Sequence, residues 1–338
     1  MIRPSDLLVP RPEGLYCPPG DFHIDPVRPV RRALITHGHS DHARAGHAAV
    51  LATRETLDIM AIRLGDGFAG TRQEARPGAP LDIGGVSVAF HPAGHVLGSA
   101  QVSVAWRGLR ITAAGDYKRT PDPTCAPFEP VPSDIFITEA TFGLPIFRHP
   151  PPEAEARRLL DSLALFPDRA HLVGAYSLGK AQRLIRLLRD LGHDAPIRIH
   201  GALARMCDYY VSRGIDLGRL EPATVPGRMG RGFAGEIVLG PPSAFAATWV
   251  RRFADPLIAF ASGWMRVRAR ARQRGVELAL IISDHCDWPE LTRTLTELSP
   301  AETWVTHGRE EALVRWCALQ GRVARPLHLV GYEDEAED

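Results

Sequence analysis

The 338-residue chain is long enough for two domains or one large domain with an insertion, and its 45% apolar fraction is that of an ordinary globular protein. A net charge of +1 excludes global attraction to nucleic acid, and apolar runs no longer than the one inside Glu277 to Ser283 exclude a membrane-spanning helix. Cys17, Cys125, Cys207, Cys286 and Cys317 are scattered, odd in number and without a CxxC pair, which argues against a disulfide frame or a thiolate zinc site and for reduced, mostly buried thiols.

Charge is unevenly spread. Seven arginines and one acid, Asp255, lie between Arg251 and Arg274, while Glu333 to Asp338 carries five acids. Among the bases, 38 arginines face only Lys118 and Lys180, a bias that a GC-rich coding sequence explains. The start, Met1-Ile2-Arg3-Pro4-Ser5-Asp6, has no basic-then-apolar signal pattern, so a cytoplasmic location is expected.

In chain order, the first part reads as strands and loops: Arg32 to Thr36, a helix after His42 extending toward Leu64, then Val86 to Phe90. Ala100 to Trp106 and Leu109 to Ala114 follow, joined by Arg107-Gly108 as a two-residue hairpin, with another short strand at Ile135 to Thr138. The run Arg148-His149-Pro150-Pro151-Pro152 marks a boundary. Three strand-then-helix units come next: His171 to Ala175 with Lys180 to Leu191, Ile197 to His200 with Leu203 to Arg213, and Ile237 to Leu239 with Ser243 to Arg252. Leu257 to Ala261 closes this set, and the alternation predicts a small parallel α/β domain. The rest reads as strand Leu278 to Ser283, helix Glu290 to Leu298, strand Thr303 to Thr306, helix Glu310 to Gln320 and strand Leu327 to Val330. The expected division is 1–148, an inserted 149–268, and 269–338.

The richest chemistry lies in His37-Gly38-His39-Ser40-Asp41-His42, at the end of the apolar run Ala33-Leu34-Ile35-Thr36. On an extended or turning backbone alternate side chains share a face, so His37 and His39 can point at one ion while Asp41 and His42 turn toward a second. A bare HxH pair is common by chance; the full HxHxDH string after a strand signals a dinuclear hydrolase. Further ligand-type residues stand where strands give way to loops: His95, Asp116, Glu139, His285 and His307. A lone histidine at a strand end is more often just hydrogen-bonded; the joint pattern carries the weight.

With those motifs the chain resembles the metallo-β-lactamase fold, in its nucleic-acid-processing branch with the β-CASP insertion. The likeness extends along the chain to the bacterial DNA ligase-associated DNA exonucleases through Gly14-Leu15-Tyr16-Cys17-Pro18, Phe22-His23-Ile24-Asp25-Pro26, Tyr176 to Gln182, Gly143 to Pro150, Ala261 to Arg266 and Ser283 to Pro289. The resemblance implies an α/β fold: an αββα sandwich with an inserted small parallel α/β domain. It implies two Zn2+ ions, with Mn2+ also compatible with the mixed N/O ligands. His37, His39 and His95 would hold the first ion, Asp41, His42 and His307 the second, and Asp116 would bridge them. Asp25 would orient ligands through hydrogen bonds, His285 would meet the leaving group, and Glu139 would fix its tautomer.

The implied reaction is hydrolysis of phosphodiester bonds by a zinc-activated hydroxide, in a DNA exonuclease acting on single-stranded or frayed ends in repair. A pathway shared with an ATP-dependent DNA ligase and a helicase is implied, and no membrane partner. For substrate grip, alternating Arg266, Arg268, Arg270 and Arg272 in an extended segment would form one guanidinium row, either a phosphate track or a solvated connection. Ser262, Gly263 and Ser283 would cradle a terminal phosphate or simply form turns, and Lys180 near a helix start would touch phosphate. An RNA-processing nuclease of the same fold is the nearest alternative, since the ligands do not distinguish deoxyribose from ribose. A non-catalytic nucleic-acid-binding scaffold is a further one, disfavoured because every expected ligand position is filled.

Overall fold

The computed structural model describes residues 3–245, 248–273 and 275–329. These divide into two compact units, one made of 3–148 with 285–329 and the other of 149–284. Each is a mixed α/β assembly.

The first unit contains a six-stranded sheet that runs in chain order from Val9–Arg11 through Gly14–Cys17, Phe22–Ile24, Arg32–Leu34 and His47–Ala52 to Ala69–Glu74. Its second, seven-stranded sheet has the order Ala324–Pro326, Glu302–Gly308, Ile135–Ala140, Leu109–Ala113, Ala100–Trp106, Val86–Pro92 and Leu81–Ile83. Period-two alternation makes the layers. Leu34 from one sheet and Ile135, Ile137 and Trp304 from the other share one buried core, so the sheets pack face to face. Their neighbours point outward: Ala33 and Ile35 toward the helix Arg54–Leu64 through Leu57 and Met60, Phe136 and Val305 toward Leu291 and Leu313 of the helices Trp288–Leu298 and Glu310–Leu319. Helix, sheet, sheet and helix are stacked in the arrangement of a metallo-β-lactamase-type fold.

The hairpin at Arg107-Gly108 forms as its residues require: both have positive φ, 48° and 87°, the twist that a two-residue turn needs to match its strands. Several expectations need correction. No helix follows His42 directly; Gly46, at φ 97°, turns the chain into the strand His47–Ala52, which pairs in parallel with Arg32–Leu34 and Ala69–Glu74, and the helix starts only at Arg54, capped by Thr53. The last strand is Ala324–Pro326 rather than 327–330, of which 330 lies outside the described residues, as does the acidic tail.

The third correction concerns the arginines. Gly263–Arg266 is a 3-10 turn and Arg268–Gln273 an α-helix, because Arg, Ala and Gln are good helix formers with nothing to hold them extended. Alternate arginines therefore do not share a face; on a helix Arg268 and Arg272, four apart, do.

The second unit is an all-parallel sheet ordered Leu220–Pro222, Ile197–Ile199, Ile237–Gly240, His171–Gly174, Leu257–Ala261 and Leu278–Leu280. Its central strands are buried at every position, as sheets covered on both faces must be. The helices Pro152–Leu165, Lys180–Asp190 and Gly201–Ser212 cross between or precede them. Of the expected helix 243–252, Pro242–Phe245 and a 3-10 stretch at Thr248–Arg252 are seen, with 246–247 outside the described residues. The sheet includes Leu278–Leu280, so this unit extends to Asp284 where the sequence suggested 268.

Cys17, Cys207, Cys286 and Cys317 are buried and Cys125 half-buried, none in a disulfide, and burial pushes Cys17, Cys207 and Cys317 up to about 11. Among the described residues, no helix is long and apolar enough to cross a membrane.

Candidate metal centre

The ends of strands in the first unit bring its ligand-type residues together. His37 follows Arg32–Leu34, His95 follows Val86–Pro92, Asp116 follows Leu109–Ala113, and His307 lies near the end of Glu302–Gly308. Gly115, at φ 58°, lets Asp116 come close to the histidine loop; a Cβ there would sit 2.8 Å from Thr36 Oγ1. The loops are pinned from outside. Arg63 donates to the carbonyl of Gly38, Thr53 and Thr56 donate to Gly98 O at 2.6 and 3.1 Å, and Ser99 Oγ accepts from the amides of His95 and Val96, both at 3.1 Å.

Hydrogen bonds around Asp25 set two imidazoles. Its carboxylate accepts from Thr36 N at 2.7 Å, Thr36 Oγ1 at 2.6 Å and His42 Nδ1 at 2.8 Å. The hydroxyl proton of Thr36 is thereby committed to Asp25, so the 3.1 Å contact between Thr36 Oγ1 and His37 Nδ1 makes that nitrogen the donor. In its neutral form each ring then carries its lone pair on Nε2. His37 Nε2 is fully buried without a hydrogen bond, and Asp116 Oδ2 stands 3.4 Å from it and 3.4 Å from His42 Nε2. Donors about 2.0–2.1 Å from a tetrahedral ion are separated by roughly 3.4 Å, so this spacing fits a cation.

Two groups of donor atoms, each within 4.8 Å, emerge: His37, His39, His95 and Asp116, and His42, Asp116 and His307, with Asp116 common to both. Asp41 joins His37 and His42 in a third such group, its Oδ2 3.6 Å from His42 Nε2. Asp25 and His307 adopt left-handed backbone, φ 45° and 56°, the kind of local strain that clusters at working sites.

The electrostatics call for positive charge beside Asp116. Burial pushes His37 well below the ordinary imidazole range, helped by His42 and His95, and burial with His42 lowers His307. Burial also penalises charge on His42, but the carboxylates of Asp116, Asp41 and Asp25 outweigh it and raise this ring well above its usual value. For Asp116 burial is likewise overcome, by His42, His285 and His37, and its carboxyl is held well below the carboxylate range. His37 and His307, held neutral, together with carboxylates and with His42, whose Nε2 proton a cation would replace, form a donor set suited to a borderline divalent cation.

Next to this cluster stands a carboxylate–histidine pair. Glu139 Oε2 lies 2.9 Å from His285 Nδ1, its Oε1 accepts from Tyr117 N at 2.9 Å, and both side chains are buried. The rings of His285 and His95 are 4.7 Å apart, and Asp116, Glu139 and His285 again have donor atoms within 4.8 Å.

The residues expected to grip substrate lie in the second unit. Lys180 is buried, 3.1 Å from Asp284 Oδ1 and over the Tyr176 ring, so its ammonium is occupied by an ion pair. Ser262 caps the turn at Gly263, accepting from Trp264 N, and the Ser283 carbonyl accepts from Arg183 at 2.7 Å; all three small residues are buried. Arg266 and Arg268 are exposed. Sequence reasoning missed Thr36, Ser99, Arg63 and the Tyr117 amide; only Thr36, adjoining the histidine string, had any signal.

A probable DNA ligase from Opitutus terrae is 28% identical over 333 residues, 90% of this chain and 30% of that protein. The endoribonuclease YSH1 of Candida glabrata is 37% identical over 142 residues, 38% of this chain and 18% of its own length. A ribonuclease of Thermus thermophilus is 32% identical over 206 residues, 52% of this chain and 46% of its own. The chain thus spans less than half the length of each. No family model matches. A crystal structure of a protein of unknown function from Enterococcus faecalis superposes with a TM-score of 0.56 at 13% identity, covering 89% of this chain and 80% of that one, a likeness of fold alone. Fold and strand-end ligands define a metallo-β-lactamase-type protein. Within that class, the chain resembles the β-CASP group of nucleases, toward which its similarity to the YSH1 and Thermus ribonucleases points.

Proposed function

We propose that this chain is a metal-dependent DNA exonuclease, hydrolysing phosphodiester bonds at single-stranded or frayed ends in repair. One observation carries the reading: His37, His39, Asp41, His42, His95, Asp116 and His307 converge in one unit with Asp25 and Thr36 fixing the tautomers, while a separate carboxylate–histidine pair stands alongside. The second unit, from His149, is the β-CASP-like insertion.

Two divalent cations, zinc by donor type with manganese as the alternative, would supply an acidified water and relief of charge on the phosphoryl oxygens. His37, His39 and His95 would hold one, Asp41, His42 and His307 the other, and Asp116 would bridge. Asp25 orients, keeping the His42 proton on Nδ1 and, through Thr36, the His37 proton on Nδ1. Glu139 fixes the His285 proton at Nδ1 and favours the imidazolium, so Nε2 can pass its proton to the leaving oxygen. Arg266 and Arg268, both exposed, are proposed to face DNA, and the buried Ser262, Gly263, Ser283 and Lys180 to support that unit's substrate face without touching DNA. A shared pathway with an ATP-dependent ligase and a helicase, in the cytoplasm, completes the proposal.

A second reading, an RNA nuclease, is favoured by the names of the YSH1 and Thermus relatives. End-labelled DNA and RNA of one sequence, incubated with metal-stripped protein restored with zinc or manganese, decide between them. Stepwise shortening of DNA from one end supports the proposal; RNA cleavage with intact DNA replaces it by the second reading, and cleavage of neither sinks both.

A further inference from the structure

The chain's only lysines among 40 basic residues are Lys118 and Lys180, and the structure gives both the same treatment. Each is buried and paired with a carboxylate, Lys118 with Glu290 and Lys180 with Asp284.

Lys118 Nζ donates to the carbonyl of His285 at 3.0 Å and to Glu290 Oε2 at 2.6 Å. Glu290 is itself locked: Oε1 accepts from Thr120 N and Oγ1, both at 2.6 Å, and Oε2 accepts from Asp287 N at 3.1 Å. The backbone beside it is laced to the same segment, with Cys286 N donating to Tyr117 O at 2.8 Å and Tyr117 N donating to Glu139, the partner of His285. Three consecutive residues thus tie the candidate centre to His285: Asp116 as a ligand, Tyr117 holding Glu139, and Lys118 holding the His285 main chain.

We propose that Lys118 is a positioning residue, which with Glu290 clamps the His285 carbonyl and thereby keeps the imidazole on Glu139 beside Asp116. A compact ammonium meets two closely spaced acceptors in a dry site, whereas a planar guanidinium would bring extra donors without partners and push the carbonyl away. The inference rests on His285 acting as the leaving-group acid.

That dependence shapes the test. Zinc-reconstituted full-length chain is assayed on DNA, whose alkoxide leaving group needs a proton, and on bis(p-nitrophenyl) phosphate, whose phenolate leaves without one. Lys118→Arg and Glu290→Gln are compared with His285→Ala, alongside bound metal per chain and the thermal unfolding midpoint. Expected for both variants is a loss of about 10²-fold in kcat on DNA, from a misplacement on the order of 1 Å. The aryl ester rate should stay within about a factor of three, with metal content and KM for DNA unchanged. Equal losses on the two substrates, lost metal, or undiminished DNA cleavage overturns the proposal. Wild-type chain inactive on both substrates overturns the nuclease reading instead, and His285→Ala slowed equally on both overturns the acid role; either is seen before the Lys118 variant is read.

Discussion

At the scale of single residues, the proposed division of roles between the ligands and His285 is open to a direct test. His307 shares its donor group with His42 and Asp116, whereas Nδ1 of His285 is engaged by Glu139. His307→Ala should therefore lower bound metal from two ions to one, while His285→Ala keeps both and loses about 10²–10⁴-fold in turnover on DNA. Elemental analysis of dialysed protein beside single-turnover rates checks this; loss of metal from His285→Ala would make it a ligand and remove the acid. These residues were legible because cation chemistry restricts side-chain types, and His, Asp and Glu at strand ends announce themselves. Thr36 and the Tyr117 amide were not, since a hydroxyl that relays one hydrogen bond and a backbone N–H that holds a carboxylate leave no mark in composition.

Among elements, the hairpin at Arg107-Gly108 and the strands of the parallel sheet were readable from turn chemistry and apolar runs, both local properties. His47–Ala52 was not. Its alanines suit a helix, and the neighbours that make it a strand, Arg32–Leu34 and Ala69–Glu74, are distant enough in sequence that only tertiary pairing decides. The helix Arg268–Gln273 likewise changes which arginines act together. With Arg268 and Arg272 on one face, the paired change Arg268→Ala with Arg272→Ala should weaken single-stranded DNA binding and flatten its slope against log salt by about 1.4, near 0.7 for each phosphate contact. Fluorescence anisotropy between low and moderate salt measures it. Arg270→Ala combined with Arg272→Ala, on different faces, should flatten it less; an unchanged slope in the first pair discards this helix as a phosphate contact.

For the molecule as a whole, the seven residues proposed as ligands all lie in one unit, 3–148 with 285–329. The break near Arg148 was legible from its prolines; the other end was not, because Leu278–Leu280 joins its sheet through hydrogen bonds to Leu257–Ala261 that no local pattern announces. Cations that bind only the folded first unit stabilise it by about 2.7 kcal/mol at a free concentration of 100 times Kd, and a chelator removes that support. Hydrogen exchange with and without chelator should then speed in 33–43, 93–99, 114–118 and 302–308, where the ligands sit on pinned loops. The strands His171–Gly174 and Ile237–Gly240 should exchange as before, since they carry no candidate ligand and their burial owes nothing to a cation. Loss of protection that is equal in both units would mean that metal binding and folding are not coupled where the ligands converge, and the assignment of the seven residues to a cation pair would fall with it.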